Sequence, residues 1–157
     1  VRRSNELLDS AYGTDFRYDE GTVISKGARG FLGAAALGAG TGAVAGLAAL
    51  SFTRPLLKKV LPKPGEGPTT EAIENGHFHV ELRGIHPTDP SKNMTAHVRG
   101  DKDPGYGSTS KMIVESALAL AQDELPVAGG FWTPASAMGD TLLSRLPASA
   151  GVTFEIE

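Results

Sequence analysis

The sequence predicts an α+β domain: a largely antiparallel sheet with helices packed on one face, plus a Gly/Ala-rich hydrophobic helical segment. Three observations carry this. Residues 77–84 and 93–100 each alternate apolar and polar side chains, and a polar loop joins them. Residues 108–122 and 133–146 place apolar side chains at helical spacing. Residues 30–53 contain no charged side chain. With 157 residues, 40% hydrophobic and 21% charged, the chain can build one core and is unlike a disordered tail.

Taken in order, Leu7, Leu8 and Ala11 lie at helical spacing after Ser4, which predicts a short capped helix over residues 2–11, ending before Gly13. Residues 16–25, with Phe16, Tyr18, Val23 and Ile24, read as a strand. The uncharged run 30–53 follows, with Lys26 and Arg29 before it and Arg54, Lys58, Lys59 and Lys63 after it. Pro55, Pro62 and Pro64 close this region, and residues 62–68 form a stiff polar connector. In the first alternating strand Phe78, Val80 and Leu82 face the core while His77, His79, Glu81 and Arg83 face water; Met94, Ala96 and Val98 continue the pattern in the second. Ser108 is a candidate cap for a helix whose stripe is Met112, Ile113, Ala117, Leu120 and Ala121. Thr133 caps a further helix with Pro134 at its first position, Ala137, Met138, Thr141, Leu142 and Leu146 inward, and a stop near Pro147. Residues 152–156 close the chain as a strand.

Composition excludes several functions. A net charge of −3, a pI of 5.8 and an aromatic fraction of 6% argue against a nucleic-acid partner. Without cysteine there is no disulfide, thiolate metal site or cysteine nucleophile. His77, His79 and His97 could begin a metal site, but no H-E-x-x-H run or fixed further ligand accompanies them, so no metal is expected.

The Gly-rich run formally contains a dinucleotide fingerprint, Gly38-x-Gly40-x-x-Ala43. Such a fingerprint needs a strand before its first glycine and an acidic residue about 20 positions on. Here Ala34, Ala35 and Ala36 precede it and Lys58, Lys59 and Lys63 follow, so no cofactor-binding residue is expected in this chain. Gly38, Gly42 and Gly46 instead recur on one helical face, as in helices that approach closely in lipid or in a tight hairpin. The run exceeds the ~18 residues that suggest a bilayer span, and its basic flanks suit anionic headgroups. Phe31, Leu32, Leu37, Leu47, Leu50 and Phe52 are the candidate membrane contacts; buried helical packing and a true span are the competing readings.

The run DKDPGYGSTSK, residues 101–111, is the most site-like loop. Its turn residues bring Tyr106 to a helix N-terminus, where anions are favoured. Lys111 lies one turn in, with Glu115 four residues on to orient it, which makes Tyr106, Lys111 and Glu115 the candidate substrate contacts; a capped helix with a surface ion pair is the plainer account. Gly129 to Pro134 forms a second candidate turn, and no nucleophile triad or paired acid can be argued from spacing.

Four phrases, VRRSNELLDSAYGTDFRY, LPKPGEGPT, DPGYGSTSKMIVESALALA and GGFWTPASAMGDTLLSRL, together resemble the C-terminal part of saccharopine dehydrogenase-like oxidoreductases, in the branch that includes trans-acting enoyl reductases of polyketide lipid assembly. The resemblance covers essentially the whole chain. It implies that residues 1–157 are a C-terminal substrate-binding and dimerisation domain, with 30–53 a hydrophobic segment inside it. It further implies a preceding Rossmann domain holding NADP or NAD, which agrees with a chain that starts at Val1 without a Met. The implied partners are that domain, a lipid-linked acyl substrate, a membrane surface and a second copy in a homodimer. The implied location is the cytoplasm, peripheral at the membrane, and no catalytic residue transfers. The isolated chain is expected to be inactive. A non-catalytic lipid-surface or partner-docking module is the alternative, and a pseudo-enzyme the third reading.

Overall fold

Residues 1–63 and 65–157 are described by the computed structural model; Pro64, one of the prolines read as closing the connector, lies outside the described residues. The chain divides into two units, one formed by residues 1–17 with 68–157 and the other by residues 18–67.

The first unit holds the sheet. Strands β1 (Phe78–Gly84), β2 (Met94–Gly100) and β3 (Val152–Ile156) run antiparallel in the order β1-β2-β3. The register pairs Phe78 with Gly100 and Val152, Val80 with Val98 and Phe154, and Leu82 with Ala96 and Ile156, so these side chains share one face. Helix α5 (Gly107–Gln122), helix α6 (Pro134–Arg145) and a π-helical turn over Leu146–Ala150 supply the second layer. Two small clusters make the core. Ala119, Ala137 and Met138 form one, and Leu146, Ala150 and Val152 the other, with Leu142 packed against both. The predicted α+β class, the antiparallel pair, the Thr133 cap and the closing strand are all present.

Several local expectations fail. Helix α1 is shorter than predicted, Arg2–Leu7, and Ser4 does not cap it. Ser4 is buried, its hydroxyl 2.9 Å from that of Thr133, because docking on α6 outweighs a local cap. Residues 16–25 form no strand: Asp19, Glu20 and Gly21 interrupt the alternation and no partner strand is offered. Ser108 is not the N-cap of α5 either; Tyr106 holds that place, and the buried Ser108 hydroxyl donates to the Lys102 carbonyl at 3.0 Å. The inward stripe of α5 is rotated from the predicted one. Ser108, Glu115 and Ala119 are buried while Ile113 and Leu120 are exposed, because Arg145 makes an inward Glu115 tolerable.

A short helix unseen in the sequence, α4 (Thr70–Asn75), precedes β1, with the Thr69 hydroxyl accepting from the Ala72 amide at 3.2 Å. The Thr-Thr-Glu start was its signal.

The second unit contains α2 (Ala28–Ala49) and α3 (Arg54–Val60). Helix α2 covers most of the uncharged run, beginning two residues earlier than Gly30 and ending before Thr53. By length and composition it could cross a membrane, and it is not buried.

Candidate functional site

Helix α6 borders two grooves on the first unit. Thr133 and Ser136 form a reciprocal capping box, the Thr133 amide donating to Ser136 Oγ at 3.0 Å and the Ser136 amide to Thr133 Oγ1 at 3.3 Å. One turn later Met138 leaves helical geometry, at φ −146° and ψ 31°. The kink sets Ala137 and Met138 as a wall shared by two neighbouring grooves. One, of about 640 Å³, is lined by Leu8, Tyr12, Met138, Leu142 and Phe154. The other, of about 460 Å³, is lined by Leu120, Leu125, Val127, Trp132 and Met138. Trp132 is held by its indole N–H donating to the Ala128 carbonyl at 2.8 Å, over Gly130. Both grooves are lined mostly by apolar side chains, with Asp140 and Thr141 in the first and Asp123 and Thr133 in the second.

An ion-pair cluster that spacing alone did not reveal reaches the second groove through Asp123. The Arg145 guanidinium donates to both oxygens of Asp123, at 2.7 and 3.2 Å, and to Glu115 at 3.0 Å. These hydrogen bonds raise the Arg145 pKa and hold the Asp123 carboxyl below its ordinary value. One guanidinium thus bridges two carboxylates, and Glu115 and Arg145 tie α5 to α6.

The structure does not assemble Tyr106, Lys111 and Glu115 as predicted. Glu115 is committed to Arg145, and Lys111 Nζ turns instead to Asp101, at 3.3 Å. Spacing placed Glu115 four residues after Lys111, but a nearly buried carboxylate takes the partner that can share its burial. Tyr106 is exposed, and neither it nor Lys111 lines the α6 grooves. Donors at the start of α5 are spent within the chain: the Tyr106 amide on Asp103 Oδ2 at 2.7 Å and the Ser108 amide on the Asp103 carbonyl at 2.8 Å.

On the polar face of the sheet, His79 Nε2 and His97 Nδ1 lie 2.9 Å apart, and His97 Nε2 is 3.3 Å from Glu157. The histidines were expected in solvent; His97 is buried, at the centre of the sheet between Glu81 and Glu155 in register. Among the described residues no group of three or more ligating side chains could hold a metal ion.

The formal fingerprint of the Gly-rich run does not make a dinucleotide turn. Gly38, Gly40 and Ala43 lie in the middle of α2, where backbone N–H groups are spent on the helix and no strand or turn precedes them.

No family model matches the sequence and no solved structure matches it. Curated relatives do. One from Mycobacterium ulcerans (strain Agy99), named trans-acting enoyl reductase, is 43% identical over 155 residues, covering 94% of the chain and 36% of that protein. A protein of the same name from Mycobacterium tuberculosis (strain ATCC 25618 / H37Rv) is 41% identical over 162 residues, covering 98% and 37%. A second M. tuberculosis protein, whose name gives the same activity provisionally, is 43% identical over 161 residues, covering 99% and 38%. The chain thus spans little more than a third of these relatives, and it matches their C-terminal part.

Proposed function

We propose that the chain is the C-terminal part of an NAD(P)-dependent, saccharopine dehydrogenase-like oxidoreductase, a trans-acting enoyl reductase acting on a lipid or polyketide acyl group. The observation that carries this reading is the 41–43% identity, sustained over nearly the whole chain, to proteins of that name. NADP or NAD is assigned, within this proposal, to a Rossmann domain upstream; the one formal fingerprint weighed here, Gly38-x-Gly40-x-x-Ala43, lies inside α2.

This chain's own contribution is substrate binding. The apolar grooves beside Met138 receive the acyl chain and exclude water from it, while the Glu115–Arg145–Asp123 cluster fixes the two helices that form them. Tyr106, at the N-cap of α5, and Lys111, one turn into it, are the proposed polar contacts for a carrier or headgroup. A homodimer is the proposed assembly of the whole protein.

The test is reduced-nicotinamide oxidation with an enoyl thioester, followed at 340 nm. A protein of the relatives' full length should consume NADPH or NADH, and the 157-residue chain should not. Tight nicotinamide binding by the 157-residue chain would overturn the division of labour. An inactive full-length protein with normal nucleotide binding would favour the second reading, a non-catalytic lipid-surface or docking module, for which the exposed α2 speaks. Within an active enzyme, wild-type kcat/KM in both Tyr106→Phe and Lys111→Ala would remove those residues from substrate binding.

A further inference from the structure

We infer that α2 is a monotopic membrane anchor: it enters an anionic bilayer from one surface and does not cross it. Length and apolarity alone would permit a span. The way the first unit is built does not. Residues 1–17 and 68–157 belong to one unit, stitched by the Ser4–Thr133 contact of 2.9 Å, so the chain entering α2 and the chain leaving it end on the same side of any membrane. A single crossing would separate them, and a second crossing has no candidate. Among the described residues α2 is the one helix long and apolar enough. The return segment carries Arg54, Lys58, Lys59, Lys63 and Glu66, and its helix α3 has only 7 residues.

The surroundings of α2 name the occupant. Between Glu20 and Glu66 the sequence has six cations and no carboxylate, although the whole chain carries a net charge of −3. The cations flank the apolar helix at both ends, as a headgroup layer met by both ends requires. The side chains between them project outward: Phe31 is 75% and Phe52 78% exposed, with Leu32, Leu37 and Leu50 also exposed. Polar groups that would resist immersion are satisfied within the unit. Thr41 Oγ1 donates to the Leu37 carbonyl at 2.8 Å. At the C-terminal end Thr53 Oγ1 donates to the Leu50 carbonyl at 2.9 Å, and Arg54 Nε to the Ala48 carbonyl at 2.9 Å. A protein partner would be met by an apolar face alone; the paired cationic clusters are explained by anionic lipid.

Co-sedimentation of the 157-residue chain with phosphatidylcholine vesicles, with and without 30% phosphatidylglycerol, tests this. Binding should require the anionic lipid and fall in high salt. The exposed-site variant Lys58→Gln/Lys59→Gln should weaken it by about fivefold per charge removed. Leu37→Ser/Phe52→Ser should abolish it, with an unchanged circular dichroism spectrum showing that the fold persists. The absence of native cysteine allows the topology to be read directly. A single cysteine introduced as Thr22→Cys, or separately as Gly67→Cys, should react with a membrane-impermeant maleimide from outside intact vesicles in both variants. One flank reacting only after vesicle lysis would overturn the one-sided placement. Equal binding to neutral vesicles, no vesicle binding, or a soluble dimer abolished by Leu37→Ser/Phe52→Ser would overturn the lipid assignment. None of these outcomes depends on nicotinamide oxidation.

Discussion

Gly151 ends the π-helical turn at φ +68°, and a Cβ added there would lie 2.4 Å from the Asp101 carboxylate that pairs with Lys111. Left-handed backbone and close approach act together, so Gly151→Ala should cost about 1–3 kcal/mol in urea denaturation. At Gly100 the demand is space: the Phe78 ring, its register partner, occupies the position of the missing side chain. Arg145 shows a different kind of dependence. Removing it as Arg145→Met strands the nearly buried Glu115, whereas Glu115→Met/Arg145→Met removes both charges. The single variant should therefore show the lower unfolding temperature in a thermal melt. The cluster also gives an acid dependence with a fixed sign. The Asp123 carboxyl is held below its ordinary value of 3.8 by hydrogen bonds from Arg145, so its contribution is present above that pH and lost as the pH falls through the lowered value. Asp123→Asn should flatten the acid limb of the stability profile measured by chemical denaturation.

Among the elements, α6 is specified most completely by its own sequence. Thr133, Pro134 and Ser136 fix its start, and Thr133 also receives Ser4 of α1. Thr133→Ala should cost ~1 kcal/mol in chemical denaturation, with Thr133→Ser retaining most of that. Helix α2 is the opposite case. It has no side-chain cap at its N-terminus, and a Cβ at Gly38, Gly40 or Gly42 would meet nothing within 4 Å. Each glycine lowers helix propensity by about 0.8–1 kcal/mol relative to alanine, so Gly38→Ala/Gly40→Ala/Gly42→Ala should increase helicity by circular dichroism in detergent-free buffer. Such a helix is an unusual choice for water, because it is apolar all round and unburied, and it suits a setting in which lipid supplies the missing burial.

For the whole molecule, the two core clusters and the sheet draw only on residues of the first unit. A variant with residues 18–67 replaced by a long Gly/Ser linker should keep cooperative unfolding of that unit, followed by near-UV circular dichroism; loss of cooperativity would show that the second unit is needed for its core. Apolar side chains nevertheless remain exposed on the first unit, among them Ile113 and Leu120 on α5 and Leu82 and Ile156 at the far end of the sheet.

Local chemistry was legible in the sequence wherever a pattern repeats or a residue has one favoured place. Strict alternation gave β1 and β2 within a residue of their ends, Thr133-Pro134 gave the start of α6, and an unbroken uncharged run gave α2. Tertiary structure decided what depends on a distant partner. It left residues 16–25 without a strand to pair with, and it drew Ser4 away from capping to reach Thr133, 129 positions on. It also turned Glu115 from Lys111 to an arginine 30 positions away and built the α6 grooves from segments at both ends of the chain. A period of two or 3.6 is written in neighbouring residues, but desolvation can be offset only by the group that folding happens to bring close, and its identity is not written beside the residue that needs it.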